Sequence, residues 1–298
     1  MEGYKGFLPG GFVDGAGLLH REFELAALTG QDEELLADAP LKESASLVTK
    51  VISRCVRRVG DIHPVNEAVT RQLLVADRQY LLLKLRQITF GDHVHADLFC
   101  PWPDCGKRVS IDFNVDDVPV QASTDKGPLY HMTLSPAAAG EADPVDREIH
   151  FRLPNGADQE LISPLLMENE AKALTLLLAR CIQRIGGSVL TEESQIEALS
   201  PLARKEIETE MERLAPKIEL DMEMNCPECG RLFVAPFDLQ SFFFGELRAG
   251  GDRLYREVHY LAYHYHWSEH EIMDMTVEKR HKYVNLLADE IERLNNGE

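Results

Sequence analysis

Apolar residues recur along this chain at two periods, and the periods alternate. Val48, Val51, Ile52, Cys55, Val56 and Val59 fall three or four apart, which predicts an amphipathic helix closed by Gly60. Val94, Ala96 and Leu98 fall two apart, as do Val109, Ile111 and Phe113, which predicts strands. The same succession then returns. Leu174, Leu177, Leu178, Cys181, Ile182 and Ile185 repeat the helical stripe ahead of Gly186, and Leu220, Met222 and Met224 repeat the alternation. Thr29 and Asn155 stand as helix N-caps, with Asp32 and Asp158 three residues on at the positive end of each helix dipole. Short strands are expected ahead of these helices, within 11–25 and 148–153, and a further helix after them, about 65–86 and 192–213.

The recurrence has a fixed offset of 126 residues. It carries Arg21-Glu22-Phe23 onto Arg147-Glu148-Ile149, and Thr29-Gly30-Gln31-Asp32 onto Asn155-Gly156-Ala157-Asp158. It also carries Arg54-Cys55 onto Arg180-Cys181, and Cys100 onto Cys226. A tandem duplication is the reading, since chance would not hold one offset without a gap while matching Gly to Gly and Cys to Cys. The expected organisation is a first repeat over 1–120, a linker over 121–146 around one short strand, a second repeat over 147–245, and a C-terminal helical region over 246–298. In the tail, Ser268 and Glu271 form a capping box, followed by a helix over 277–294. The expected fold class is α+β: tandem-duplicated helix-plus-zinc-ribbon units with pseudo-two-fold symmetry, residues 21–116 superposing on 147–240, and a helical tail outside the repeat.

Composition narrows the partners. Of 298 residues 44% are hydrophobic and 27% charged, the profile of a folded chain. Acidic residues outnumber basic ones 50 to 31, for a formal net charge of −19. Nucleic acid and anionic membrane surfaces both draw affinity from Lys and Arg, so neither is expected as a partner. No targeting segment and no run of membrane-spanning length is visible, and a cytoplasmic location is expected. In a reducing compartment, six cysteines point to metal or core packing before disulfides.

Four cysteines form two knuckles, Cys100-Pro101-Trp102-Pro103-Asp104-Cys105-Gly106 and Cys226-Pro227-Glu228-Cys229-Gly230. A tight turn aims two thiolates at one metal, and the trailing glycine lets the backbone take positive φ. Structural zinc takes four ligands and each half owns two, so the economical arrangement is one shared Zn2+ per chain held by Cys100, Cys105, Cys226 and Cys229. The alternatives are local disulfides, idle thiols, or a catalytic zinc, which a four-thiolate set would leave no open position to serve. His93 and His95 have Glu219 and Asp221 as counterparts and read as solvated strand residues, while Cys55 and Cys181 read as core. The tail histidines His259, His264, His266, His270 and His281 read as surface before metal, and Phe242-Phe243-Phe244 as either core or a docking patch. No phosphate-cradling loop, G-x-S-x-G or H-E-x-x-H is present, and a non-enzymatic role is expected.

Several phrases resemble a known family. Arg21-Glu22-Phe23-Glu24-Leu25 through Leu35, Asp77-Arg78-Gln79-Tyr80 through Gly91-Asp92, the first knuckle, and Tyr263 through Ile272 are similar to the T4-like baseplate hub assembly proteins of contractile phage tails and phage-derived injection systems. The resemblance implies a non-enzymatic assembly factor or minor component of a baseplate, with hub or spike-proximal proteins as partners. Docking is expected on the tail helices and the Phe242–Phe244 run. A generic zinc-ribbon adaptor of another complex, or a zinc-dependent enzyme, is the alternative.

Overall fold

The computed structural model describes residues 3–37, 44–124, 127–139, 144–166, 168–189 and 192–296. A hairpin of β1 (Tyr4–Val13) and β2 (Leu19–Leu25) leads into α1 (Gly30–Ala37), α2 (Ser44–Cys55) and β3 (Val56–Val59). Then come α3 (Glu67–Gln72), α4 (Val75–Phe90), and a hairpin of β4 (His93–Phe99) and β5 (Arg108–Asn114), followed by β6 (Val120–Gln121). The second half runs β7 (Tyr130–Thr133), α5 (Pro136–Ala139), β8 (Glu148–Phe151), α6 (Gly156–Leu166), α7 (Glu170–Cys181), β9 (Ile182–Ile185) and β10 (Ser188–Val189). It continues through α8 (Ser194–Glu197), α9 (Pro201–Leu214), β11 (Lys217–Ile218) and a hairpin of β12 (Asp221–Asn225) and β13 (Leu232–Pro236). Three helices close the chain: α10 (Leu239–Tyr265), α11 (Glu269–Met273) and α12 (Val277–Asn296). Helix and sheet are mixed, consistent with an α+β fold.

The sheets β1-β2-β3 and β7-β8-β9 share one register at the 126-residue offset. Phe23 pairs with Val59 and Ile149 with Ile185; Leu25 pairs with Val56 and Phe151 with Ile182. Tyr4 opposite Leu25 has its counterpart in Tyr130 opposite Phe151. The expected linker therefore supplies β7, a strand of the second sheet matching the start of β1. Each unit also repeats a cap and an ion pair. Asp32 accepts from the backbone N–H of Thr29 and from Arg54 Nε at 2.5 Å; Asp158 accepts from that of Asn155 and from Arg180 Nε at 2.6 Å.

Two sequence expectations need correction. The helical stripe does not run on to Gly60 and Gly186, because α2 and α7 stop at Cys55 and Cys181 and strands follow at once. A bulge in each strand leaves Arg57 and Gln183 unmatched, so Val56 and Val59 share a buried face although they stand three apart. That spacing mimics a helix. Nor does a boundary fall at 245/246, which lies inside α10. Phe243 and Phe244 are wholly buried on that helix and Phe242 packs beside them, so the run is core and not a docking patch.

The tail is not outside the architecture either. Asn66 caps α3, and α4 restarts at Val75 after a kink; Ser268 caps α11, and α12 restarts at Val277 after the same kink. Each helical hook grips the start of a helix in a repeat unit. Leu73 O accepts from the Gly156 N–H at 3.0 Å and Leu74 bridges Asn155; Met275 O accepts from the Gly30 N–H at 3.2 Å and Thr276 bridges Thr29. Arg78 and Arg280, each 1% exposed, lie over those glycines. Arg78 donates to Thr49 Oγ1, Thr70 O and Ala45 O, and Arg280 to Glu33 and Glu257 at 2.8 and 2.7 Å. These bonds offset most of the cost of burying the two cations, although Arg78 Nε and Arg280 Nη1 have no partner.

Both glycine and carboxylate contacts lead to measurable outcomes. A Cβ on Gly156 would collide with the Arg78 guanidinium, so Gly156→Ala is expected to cost about 1–3 kcal/mol in urea unfolding. Gly245→Ala, at an open position of α10, is expected to stabilise by about 0.5–1 kcal/mol. Asp77, wholly buried and accepting from the Gly10 and Gly11 N–H groups, is raised to about 6, chiefly by burial. Because its folded pKa exceeds the unfolded value, the folded state holds the extra proton and stability falls as pH rises from about 4 through about 6. Asp77→Asn is expected to remove on the order of 2–3 kcal/mol of that fall, read from urea midpoints at the two ends of the window.

Candidate metal centre

The two cysteine hairpins are brought together at their stems. β6 pairs with β11, Val120 opposite Ile218, and the Glu219 N–H donates to Pro119 O at 3.0 Å. The segment leaving β5 therefore lies beside the segment entering β12, and both hairpins project side by side. Their strands alternate as the sequence predicts: Val94, Ala96, Val109, Ile111 and Phe233 point inward and are buried. Val109 and Phe233 form the floor beneath Cys100 and Cys226.

Each tip is closed by its own backbone. The Cys100 N–H donates to Lys107 O at 2.8 Å, and Cys226 to Arg231 O at 3.0 Å. Gly106 and Gly230 take φ of +56° and +71°, a region open to glycine at little cost. The four Sγ atoms lie within 4.8 Å of one another, with Cys100 3.8 Å from Cys229 and Cys105 3.8 Å from Cys226. A disulfide would hold sulfurs at about 2.05 Å. Four ligands about 2.3 Å from a tetrahedral ion stand about 3.8 Å apart, so the donor set fits a single zinc. Burial pushes the Cys100 thiol up to about 12, whereas backbone N–H groups, that of Cys229 foremost, draw Cys226 down to about 7. Clustered thiolates need a cation in their midst, and zinc also fixes their deprotonated form.

The knuckle contacts are reciprocal: the first cysteine of each pair faces the second of the other. The helical units are not related in that way. A two-fold axis through whole units would set Arg204, the counterpart of Arg78, against Gly30; Arg280 lies there instead. The reciprocal pattern is confined to the knuckle sulfurs, and the helical units, which stack head to tail, do not follow it.

A clasp across the knuckles was not foreseen from residue pattern. Asp104 of the first accepts two hydrogen bonds at 2.7 Å from Arg231 beyond the second, and the guanidinium stacks over Trp102 at 5.3 Å. Only the unlike residues at matched positions, Asp104 beside Glu228 and Lys107 beside Arg231, could have signalled it. His93 and His95 sit on the exposed face of β4, both against Asp112. Cys55 and Cys181 are buried, and burial raises both thiols, Cys181 to about 12. His281 pairs with Glu257, and His270 with Asp274. Among the described residues the four cysteines are the one group of three or more metal-ligating side chains near enough to share an ion. No described helix is long and apolar enough to cross a membrane.

A family model for the T4 bacteriophage base plate protein matches residues 17–244, a span that includes both cysteine hairpins and all four of their cysteines. No curated protein and no solved structure matches the chain. The clasp itself is exposed. Arg231→Ala is expected to shift the urea midpoint only slightly, and by less in high salt, as unfolding with and without added salt would show.

Proposed function

The chain belongs to the T4 bacteriophage base plate protein family, and we propose that it is a non-enzymatic assembly factor or minor component of the baseplate of a contractile tail or injection system, stabilised by one structural zinc. The observation that carries this reading is a four-thiol site inside the family's matched span. A four-cysteine set saturates tetrahedral zinc, leaving no position for water or substrate, so the ion staples and does not catalyse. Family membership supports association with other baseplate proteins, with hub or spike-proximal components as the proposed partners and the cytoplasm as the place of assembly. The shared strand register, the repeated Asp–Arg pair and the constant offset support a tandem duplication of a helix-plus-zinc-ribbon unit, with 1–120 as one copy and 147–245, extended backwards to take in β7, as the other.

The tail is reassigned in this reading. It packs on the first unit through Arg280 and Gly30, and its role is to complete that unit rather than to recruit a partner. Elemental analysis of reduced protein is expected to give one zinc per chain, and Cys226→Ser to release it and loosen the contact between hairpins while the helices stay folded by circular dichroism. Two zincs, or none, would remove the shared site. Deleting the gene from a cluster that encodes a contractile particle is expected to abolish complete baseplates. Normal particles from that deletion, or substrate turnover by the purified protein, would overturn the functional reading.

A further inference from the structure

Among the described residues the hook occurs three times, and two of the copies are filled. Shifting α3–α4 by 126 residues lands on α8–α9, with Ser200 capping α9 after the kink. Arg204 repeats the bonds of Arg78 at the same offset. Arg78 donates to Thr49 Oγ1 and Thr70 O; Arg204 donates to Thr175 Oγ1 at 3.1 Å and Ile196 O at 2.9 Å. Burial separates the two. Arg78 and Ala45 are 1% and 3% exposed because α6 lies on them, whereas Arg204 is half-buried and Ala171, the counterpart of Ala45, is exposed. Leu202 beside them is 46% exposed.

We infer that this third hook, built from Ala171, Lys172, Leu202 and Arg204, is a docking surface for the start of a helix in a different protein. The two filled hooks define what it takes. Each receives a helix that opens with glycine, whose N–H meets the hook's carbonyl and whose missing Cβ makes room for the arginine. Each such helix carries acid in its first turns: Glu33 bonds Arg280, and Glu160 bonds Arg71 and Thr49. A helix start gathers positive partial charge, so acid there offsets the cation pressed against it. The occupant is therefore a glycine-led helix with acidic first turns. A second copy of this chain has none to offer, since Gly30 and Gly156 are both covered from within. The contact is head-to-tail, and the chain's own tail closes one end of the stack.

The surface can be tested on the chain alone. Arg280→Glu sets a carboxylate against Glu33 and Glu257 and should release Gly30, read as fast exchange of its amide; if that amide stays protected, Val277→Asp is added. Wild type is expected to sediment as a monomer. The released variant is expected to self-associate through its third hook, and adding Ala171→Arg, which leaves the bonds of Arg204 intact, to weaken that association by about tenfold or more. A released Gly30 without self-association, or association indifferent to Ala171→Arg, would overturn the docking surface. Wild-type oligomers dissolved by Ala171→Arg would put a second copy there and overturn the foreign occupant. The identity of the occupant rests on the baseplate reading. A photo-cross-linker at Leu202 is expected to join a different protein, at a glycine-led helix start, in cells assembling the particle. Normal particles from cells that lack the gene would sink the baseplate reading and leave the sedimentation result to decide the hook.

Discussion

A guanidinium lying on the first residue of a helix is the contact from which the arrangement of this chain follows. Placing Arg78 in the interior is costly unless most of its donors are met, and the acceptors that meet them, Ala45 O and Thr49 Oγ1 of α2 and Thr70 O of α3, belong to two separate helices of the first unit. The arginine thus ties α2, α3 and α4 into one block. Only glycine can then approach its outer face, and Gly156 does so with its N–H turned to Leu73 O. The orientation of the second unit on the first is set by that one glycine, together with the bridge from Leu74 to Asn155.

The hairpins add a different kind of constraint. Head-to-tail stacking alone would leave the far edges of the two units free to rock about the Arg78 contact. Pairing β6 with β11 and bringing four sulfurs together fixes a second point, at the other end of α4 and α9. Two contacts of opposite symmetry, one reciprocal and one not, define a rigid placement that neither supplies by itself.

Much of this was legible in the sequence because the recurrence at a 126-residue offset presents many elements twice. The caps at Thr29 and Asn155, the knuckles and the alternating strands could all be read from residue type and spacing. What escaped depended on tertiary context. The bulge at Arg57 makes a strand look helical, since only pairing with β2 shows that Val56 and Val59 share a face. Tyr4 and Tyr130 align at the offset, yet too few identities surround them to extend the repeat before the strand register is known. The hook in the tail sits at a different offset from the main repeat, with Val75-Ala76-Asp77-Arg78 matched by Val277-Glu278-Lys279-Arg280. A search for one period passes over it. Asp104 and Arg231 break the repeat pattern, and a reading built on likeness discounts such residues.

The grip of Met275 and Arg280 on Gly30 joins almost the last helix of the chain to almost the first. During synthesis the first unit emerges early, as domains generally form from the N-terminus onward. Its α1 must nonetheless wait, with Glu33 uncovered, until the final helix has been made. A chain cut short anywhere before Arg280 therefore leaves a helix start bare, and quality-control machinery that surveys exposed surface has a feature by which to tell it from one that carries α12.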